Sequence, residues 1–302
     1  MRESEVLEIT KKKREIFREL NESIVLREPA PEDAVFHEDY EIEVTGAAPT
    51  RIQTYVDKRY ADEILPLYVC MHGGGFICGS GDFDDKYCRL TALHVKCRVI
   101  NIDYKLAPEF KFPYQLTECY ETIRWAVRHH GELKIDPDRI MVGGHSAGAG
   151  LSTGLAAMAA DGRDFRLCGQ VLDYPPVDFS GAPYWTEVPE GLDVENRDYS
   201  EFFNMCYLKN ADDRFDPYAS TIYCMDYSRF APAIIVLAEH DDLTMPALHY
   251  GELLRSAGVY TEVHVLKDCH HGFMTLPMNG TEEAFDEGWQ LRWKFMNTYF
   301  NK

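Results

Sequence analysis

Five residues, Gly144-His145-Ser146-Ala147-Gly148, limit the folds open to this chain more than any other stretch. They follow a short apolar run, Ile140 to Val142, and lead into a small-residue segment, Ala149 to Ala160, that reads as a helix. Strand, five-residue turn and helix form the setting in which G-x-S-x-G makes a nucleophile elbow. The turn is so sharp that the serine backbone is strained and its hydroxyl stands clear of the sheet. Glycine is needed at 144 and 148 because a Cβ at either place would strike a neighbouring strand or helix. With 21 Gly in 302 residues, chance supplies roughly 0.05 such matches per chain, so the pattern gains weight only if the rest of its chemistry follows in order.

The chain alternates apolar strands with helical segments. Residues 4–20 read as an amphipathic helix carrying Val6, Leu7, Ile9, Ile16, Phe17 and Leu20 among many charges. Two alternating runs, Tyr40–Thr45 and Arg51–Val56, read as half-buried antiparallel strands. Shorter apolar strands follow at Leu65–Met71, Arg98–Asp103, Arg139–His145, Cys168–Tyr174, Ala233–Ala238 and Thr261–Leu266. Helices are predicted at Leu116–His129, 245–256 and 281–300. This alternation predicts an α/β fold with a largely parallel sheet covered on both faces. Residues 175–230 interrupt it with a connection far longer than a crossover needs. Trp185, Phe202, Phe203, Tyr207 and Phe215 lie there among acidic residues, and the segment reads as a cap over the site.

Composition removes several classes of function. Fifty acidic residues against 31 basic give a net charge of −19. That field repels nucleic acid and anionic membrane surfaces and suits a neutral or cationic small substrate. No run approaches 18 apolar residues, so no membrane span is expected. The first residues have no apolar core of a secretory signal, and the nine Cys show neither C-x-x-C pairs nor zinc-like spacing. Reduced thiols in a cytoplasmic protein are the expectation.

A serine hydroxyl is a poor nucleophile until a neighbouring base, oriented by a third group, takes its proton. Behind an elbow of this kind the acid comes next in the chain and the histidine last. Both belong at the carboxyl ends of later strands. Acid candidates follow the strand at 233–238, in Glu239-His240-Asp241-Asp242-Leu243; base candidates follow that at 261–266, in Asp268-Cys269-His270-His271-Gly272-Phe273. Backbone N–H donors for a developing oxyanion complete such a site, each worth roughly 3–4 kcal/mol. His72-Gly73-Gly74-Gly75-Phe76, directly after the strand Leu65–Met71, has the form of such a loop.

With H-G-G-G-F, G-x-S-A-G, a late Asp and a late H-G-F, the chain resembles the hormone-sensitive-lipase-like branch of α/β-hydrolase esterases. Asp103-Tyr104-Lys105-Leu106-Ala107-Pro108-Glu109 is similar to that family's Y-R-L-A-P-E signature, and Asp216-Pro217-Tyr218-Ala219-Ser220 to the segment where its cap rejoins the core. The resemblance runs from about residue 40 to the C-terminus.

It implies an α/β-hydrolase fold: a mostly parallel eight-stranded sheet with a helical cap, built from residues 1–39 and the insertion at 175–230. It also implies Ser146 as nucleophile, His271 as general base and acid, and Asp241 as its orienter. Leu243 sets the register of the acid motif, and the family's base directly precedes Gly-Phe. The oxyanion donors would be the N–H groups of Gly74, Gly75 and Ala147, with His72, Asp103 and Glu109 supporting the loops. The implied activity is a serine carboxylesterase acting on short acyl esters through an acyl-enzyme. Deacetylation of sugars and amide hydrolysis are the alternatives on the same fold. No metal or organic cofactor is implied. Members often pair through the last strand and helix, so the resemblance allows a homodimer. The chain departs from the family at His145, where Asp, Glu or Thr is usual, at Ala149, where Gly is usual, and in the residues after Asp241.

Overall fold

The computed structural model describes residues 3–24, 26, 29–31, 33–162, 164–181 and 196–302; Trp185 of the expected cap lies outside them. Eight strands form one sheet in the order β1-β2-β4-β3-β5-β6-β7-β8. They are β1 (Val35–Ile42), β2 (Thr50–Asp57), β3 (Leu65–Met71), β4 (Arg98–Asp103), β5 (Ile135–His145), β6 (Leu167–Asp173), β7 (Ala233–His240) and β8 (Thr261–His270). From β4 to β8 the neighbours are parallel; β2 runs antiparallel to both β1 and β4. The helices are α1 (Glu3–Ser23), α2 (Gly81–His94), α3 (Tyr114–Arg128), α4 (His130–Leu133), α5 (Ala147–Asp161), α6 (Asn196–Tyr207), α7 (Thr244–Ser256) and α8 (Glu282–Phe300). Among the described residues no helix is long and apolar enough to cross a membrane.

The central strands read as unbroken apolar runs because both faces are covered. Every residue of β3 is buried, yet its side chains divide between two cores. Leu67, Val69 and Met71 pack with Leu116 and Ile123 of α3 and Leu151 and Leu155 of α5. Tyr68 and Cys70 face the opposite way, with Tyr87 and Cys88 of α2 and Trp289 and Trp293 of α8.

Two local expectations change. The first strand lies at 35–42, not 40–45, because its partner β2 begins at Thr50, opposite Ile42. Residues 43–49 are spent on the connection, around Gly46 at φ +75°. Helix α2 has no clean apolar stripe in the sequence, since its buried face carries Gly81, Asp84, Cys88 and Thr91 beside Tyr87 and Ala92. The late strands run further than their apolar cores, to His240 and His270, so Asp241 and His271 each stand one residue past a strand end.

The segments expected to cap the site lie against the loop that follows β3. Ile77, Cys78, Ala107 and Cys206 form a small buried cluster, with Val6 and Phe17 of α1 and Phe202 and Phe203 of α6 packed on it. Phe17 meets Phe83 edge-on at 5.0 Å.

Candidate active site

Ser146 joins β5 to α5 with φ +51° and ψ −116°, a conformation that an L-residue occupies only when the surrounding structure holds it there. Two main-chain bonds do so: Ser146 N–H donates to Asp173 O at 2.9 Å, and Ser146 O accepts from Gly150 N–H at 2.9 Å. The flanking glycines make room for the Met71 carbonyl at the end of β3. A Cβ on Gly144 would lie 2.2 Å from Met71 O, and one on Gly148 would lie 1.9 Å from the same atom. The turn is therefore sharp because β3, β5 and α5 converge on one carbonyl oxygen.

His271 Nε2 lies 2.8 Å from Ser146 Oγ, and His271 Nδ1 lies 2.8 Å from Asp241 Oδ2. A carboxylate can only accept, so Nδ1 carries the hydrogen and Nε2 is left to accept from the serine hydroxyl. Asp241 is buried, and its Oδ1 accepts from Leu243 N–H at 3.0 Å. Burial alone would raise its pKa, but the His271 charge and hydrogen bond outweigh that and hold the carboxyl below the usual range. Burial likewise pulls His271 down, and the facing Asp241 more than offsets it, so the imidazole lies above its ordinary value. His270 points elsewhere, beside His240 with 5.2 Å between ring centroids.

Two residues that no sequence pattern marks fix the imidazole. Asn279 Nδ2 donates to His271 O at 2.6 Å, and Tyr174 meets the His271 ring edge-on at 4.9 Å.

The glycine loop after β3 has Gly74 at φ +117°, Gly75 at +60° and Phe76 at +67°. It folds back on itself through Cys78 N–H to Gly74 O at 2.9 Å. Among the described residues no hydrogen bond uses the N–H of Gly74, Gly75 or Ala147; the last is open because it begins a helix. His72 stacks on Tyr104 with centroids 4.1 Å apart, and Tyr104 Oη donates to His72 O at 2.9 Å. Asp103 accepts from Gly81 N–H at 3.0 Å. Glu109 acts through Arg14 of α1, whose guanidinium donates to Glu109, to Ile77 O at 2.7 Å and to Ala107 O at 2.9 Å. Arg14 is thus a loop clamp, drawn from far away in the chain. Above the loop, a Cβ on Gly75 would lie 2.3 Å from the Phe203 ring, so Phe203 of α6 rests on the backbone at this point.

A family model of the α/β hydrolase fold matches residues 68–275, which include the glycine loop, Ser146, Asp241 and His271. The chain belongs to the α/β-hydrolase family. Within it, the chain falls in the hormone-sensitive-lipase-like branch. It is similar to the carboxylic ester hydrolase LipN of Mycobacterium tuberculosis, at 34% identity over 218 residues, 70% of this chain and 58% of that one. The match therefore spans less than two thirds of LipN. An arylesterase of Saccharolobus solfataricus is 31% identical over 247 residues, 80% of this chain and 75% of the relative. A solved structure of an esterase from Pyrobaculum calidifontis superposes with a TM-score of 0.80 at 30% identity, covering 99% of this chain and 93% of that one. Within this family the elbow, the acid turn and the histidine loop all sit where an α/β-hydrolase sheet ends.

Proposed function

We propose that this α/β-hydrolase is a serine carboxylesterase that cleaves short-chain acyl esters. The observation that carries the reading is the unbroken relay from Asp241 through His271 to Ser146, with 2.8 Å at each step. Ser146 Oγ attacks the ester carbonyl while its proton passes to His271 Nε2. Asp241 keeps the imidazole in the right tautomer and stabilises the imidazolium. The open N–H groups of Gly74, Gly75 and Ala147 receive the negative charge that develops on the carbonyl oxygen, at roughly 3–4 kcal/mol each. The imidazolium returns its proton to the leaving alcohol. Water, deprotonated by the same histidine, then releases the acid from Ser146.

In this reading α1 and the 175–230 insertion are the cap, and they set the acyl length. Phe203 over Gly75, with Phe202 beside it and Lys13 within 5.6 Å of both rings, crowds the space above the oxyanion loop. A small acyl group suits that space better than a lipid chain. The names of the two curated relatives and of the solved structure support an ester over an amide bond.

A fluorophosphonate probe tests the nucleophile: it should label wild type at Ser146, and absence of that adduct overturns the proposal. A panel of p-nitrophenyl esters tests the acyl preference, with Ser146→Ala as the blank. Acetate and butyrate should turn over faster than long-chain esters. Anilides and acetylated sugars in the same panel should be poorer substrates than simple esters.

A further inference from the structure

His145, where this chain departs from its family, turns into the core between α2 and α8, near Tyr87 and Trp289 at about 6 Å. It is 1% exposed. Its Nδ1 lies 2.7 Å from Asp173 Oδ2, which in turn lies 3.0 Å from Arg292 Nη1. Neither ring nitrogen has a hydrogen-bond partner among the described residues, so the Asp173 contact is one of charge alone. Asp84 of α2 is 3% exposed, and among the described residues no Lys, Arg or His comes within ion-pair distance of it. An orphaned buried imidazole nitrogen is costly, and so is a buried carboxylate held mainly by a weak thiol donor. They lie together: single donor atoms of Cys70, Asp84 and His145 all fall within 4.8 Å of one another. Cys70 Sγ is 3.8 Å from Asp84 Oδ2. Cys88, buried one turn along α2 from Asp84, interacts with the Cys70 thiol.

We propose that Cys70, Asp84 and His145, as three protein ligands, bind one divalent transition-metal ion of the zinc class. Thiolate, imidazole and carboxylate are the donors that zinc takes in tetrahedral sites. With bonds of 2.0–2.3 Å the edges joining one S, one N and one O donor are about 3.3–3.5 Å, so these three donors, all within 4.8 Å of one another, need only draw in modestly. A cavity of about 30 Å³, lined by Asp84, Phe83, Gly73 and Thr275 among others, adjoins the Asp84 end of the cluster. Binding displaces the thiol proton of Cys70 to solvent. The ion bolts α2 to the ends of β3 and β5, one residue before Ser146 and two before the H-G-G-G loop. It braces the elbow and touches no substrate. The proposal does not depend on which bond the enzyme cleaves.

The test is cobalt titration of the full-length protein after chelator treatment. One equivalent should bind, with a near-ultraviolet thiolate-to-cobalt band that excess zinc abolishes. Saturating zinc should raise Tm by roughly 5 °C. Cys70→Ser should remove the band and Asp84→Asn should weaken affinity at least about tenfold, while Ser146→Ala should bind as wild type does. The exposed cluster Glu239, His240 and Asp268 contains no thiol, so cobalt there gives no such band. Wild type without the band, or Cys70→Ser with the band at full strength, overturns the proposal. If the variants fail to fold, the wild-type titration decides alone.

Discussion

Substituting Gly148 by alanine should damage stability and turnover together, because one carbonyl joins the elbow to the oxyanion loop. The new Cβ would sit 1.9 Å from Met71 O, 2.5 Å from Met71 C and 2.7 Å from His72 O, all of them main-chain atoms. No side chain can swing away. To reach even 3.0 Å the end of β3 must retreat by about 1.1 Å, and β3 is held on both sides by β4 and β5. Overpacking of this kind costs up to about 3 kcal/mol. Alanine returns about 1 kcal/mol of helix propensity at an α5 position. The net loss is about 2 kcal/mol, or roughly 3 °C in Tm for a chain of this size. Met71 leads directly into His72-Gly73-Gly74-Gly75, so the same displacement moves the oxyanion donors. A misplacement near 1 Å costs about 10²-fold in rate, which should appear in kcat with KM little changed.

Thermal melting and p-nitrophenyl acetate kinetics on Gly148→Ala measure both effects. Gly131→Ala is the internal control: nothing lies within 4 Å of a Cβ there, and its Tm should stay level or rise slightly. A Gly148→Ala enzyme with wild-type Tm and kcat would refute the steric argument. One that melts early but turns over normally would refute the coupling between elbow and loop.

The pH profile should separate activity from stability. In the proposed mechanism turnover needs neutral His271, whose pKa is raised, so the acid limb of kcat/KM should lie above the usual histidine value of about 6.5. The raised histidine pKa contributes stability that is full below about 6.5 and lost as pH rises through the folded value. The lowered Asp241 pKa contributes stability present above about 3.9 and lost as pH falls through its own folded value. Activity should therefore rise across the range in which the histidine contribution fades. Asp241→Asn should move the acid limb down, and an unmoved limb would contradict the pairing. Arg14→Ala should lower kcat/KM about tenfold and Tm by a few degrees, since Ile77 O, Ala107 O and Glu109 lose one shared donor. Arg14→Lys should not restore it, because an ammonium cannot span that fork; a lysine enzyme equal to wild type would reject the clamp. Asn279→Ala frees the His271 carbonyl and should reduce kcat more than it raises KM; the opposite split would argue against a positioning role.

What the sequence discloses about this site follows from where chemistry sits on an α/β sheet. Ser146, Asp241 and His271 each stand at the carboxyl end of a strand, next to an apolar run, so a local pattern marks all three. The H-G-G-G loop is legible for the same reason. Helix α2 is hidden because its buried face is small and polar, and the first strand is displaced because pairing with β2, not alternation, sets its ends. Arg14 and Asn279 escape for a different reason: each acts on a main-chain carbonyl, Arg14 on one 63 residues away, and a carbonyl leaves no residue-specific trace. Cys70, Asp84 and His145 extend that point to side chains. They come from β3, α2 and β5 with no motif spacing, and they meet only because β3 and β5 are adjacent and side chains of α2, which lies over β2 and β4, reach toward them. His145 is conspicuous in the sequence as a substitution beside the proposed nucleophile, yet its side chain turns into the core between α2 and α8, beside Tyr87 and Trp289. Position in a motif fixes a residue's backbone; which face of the sheet its side chain takes decides what chemistry it joins.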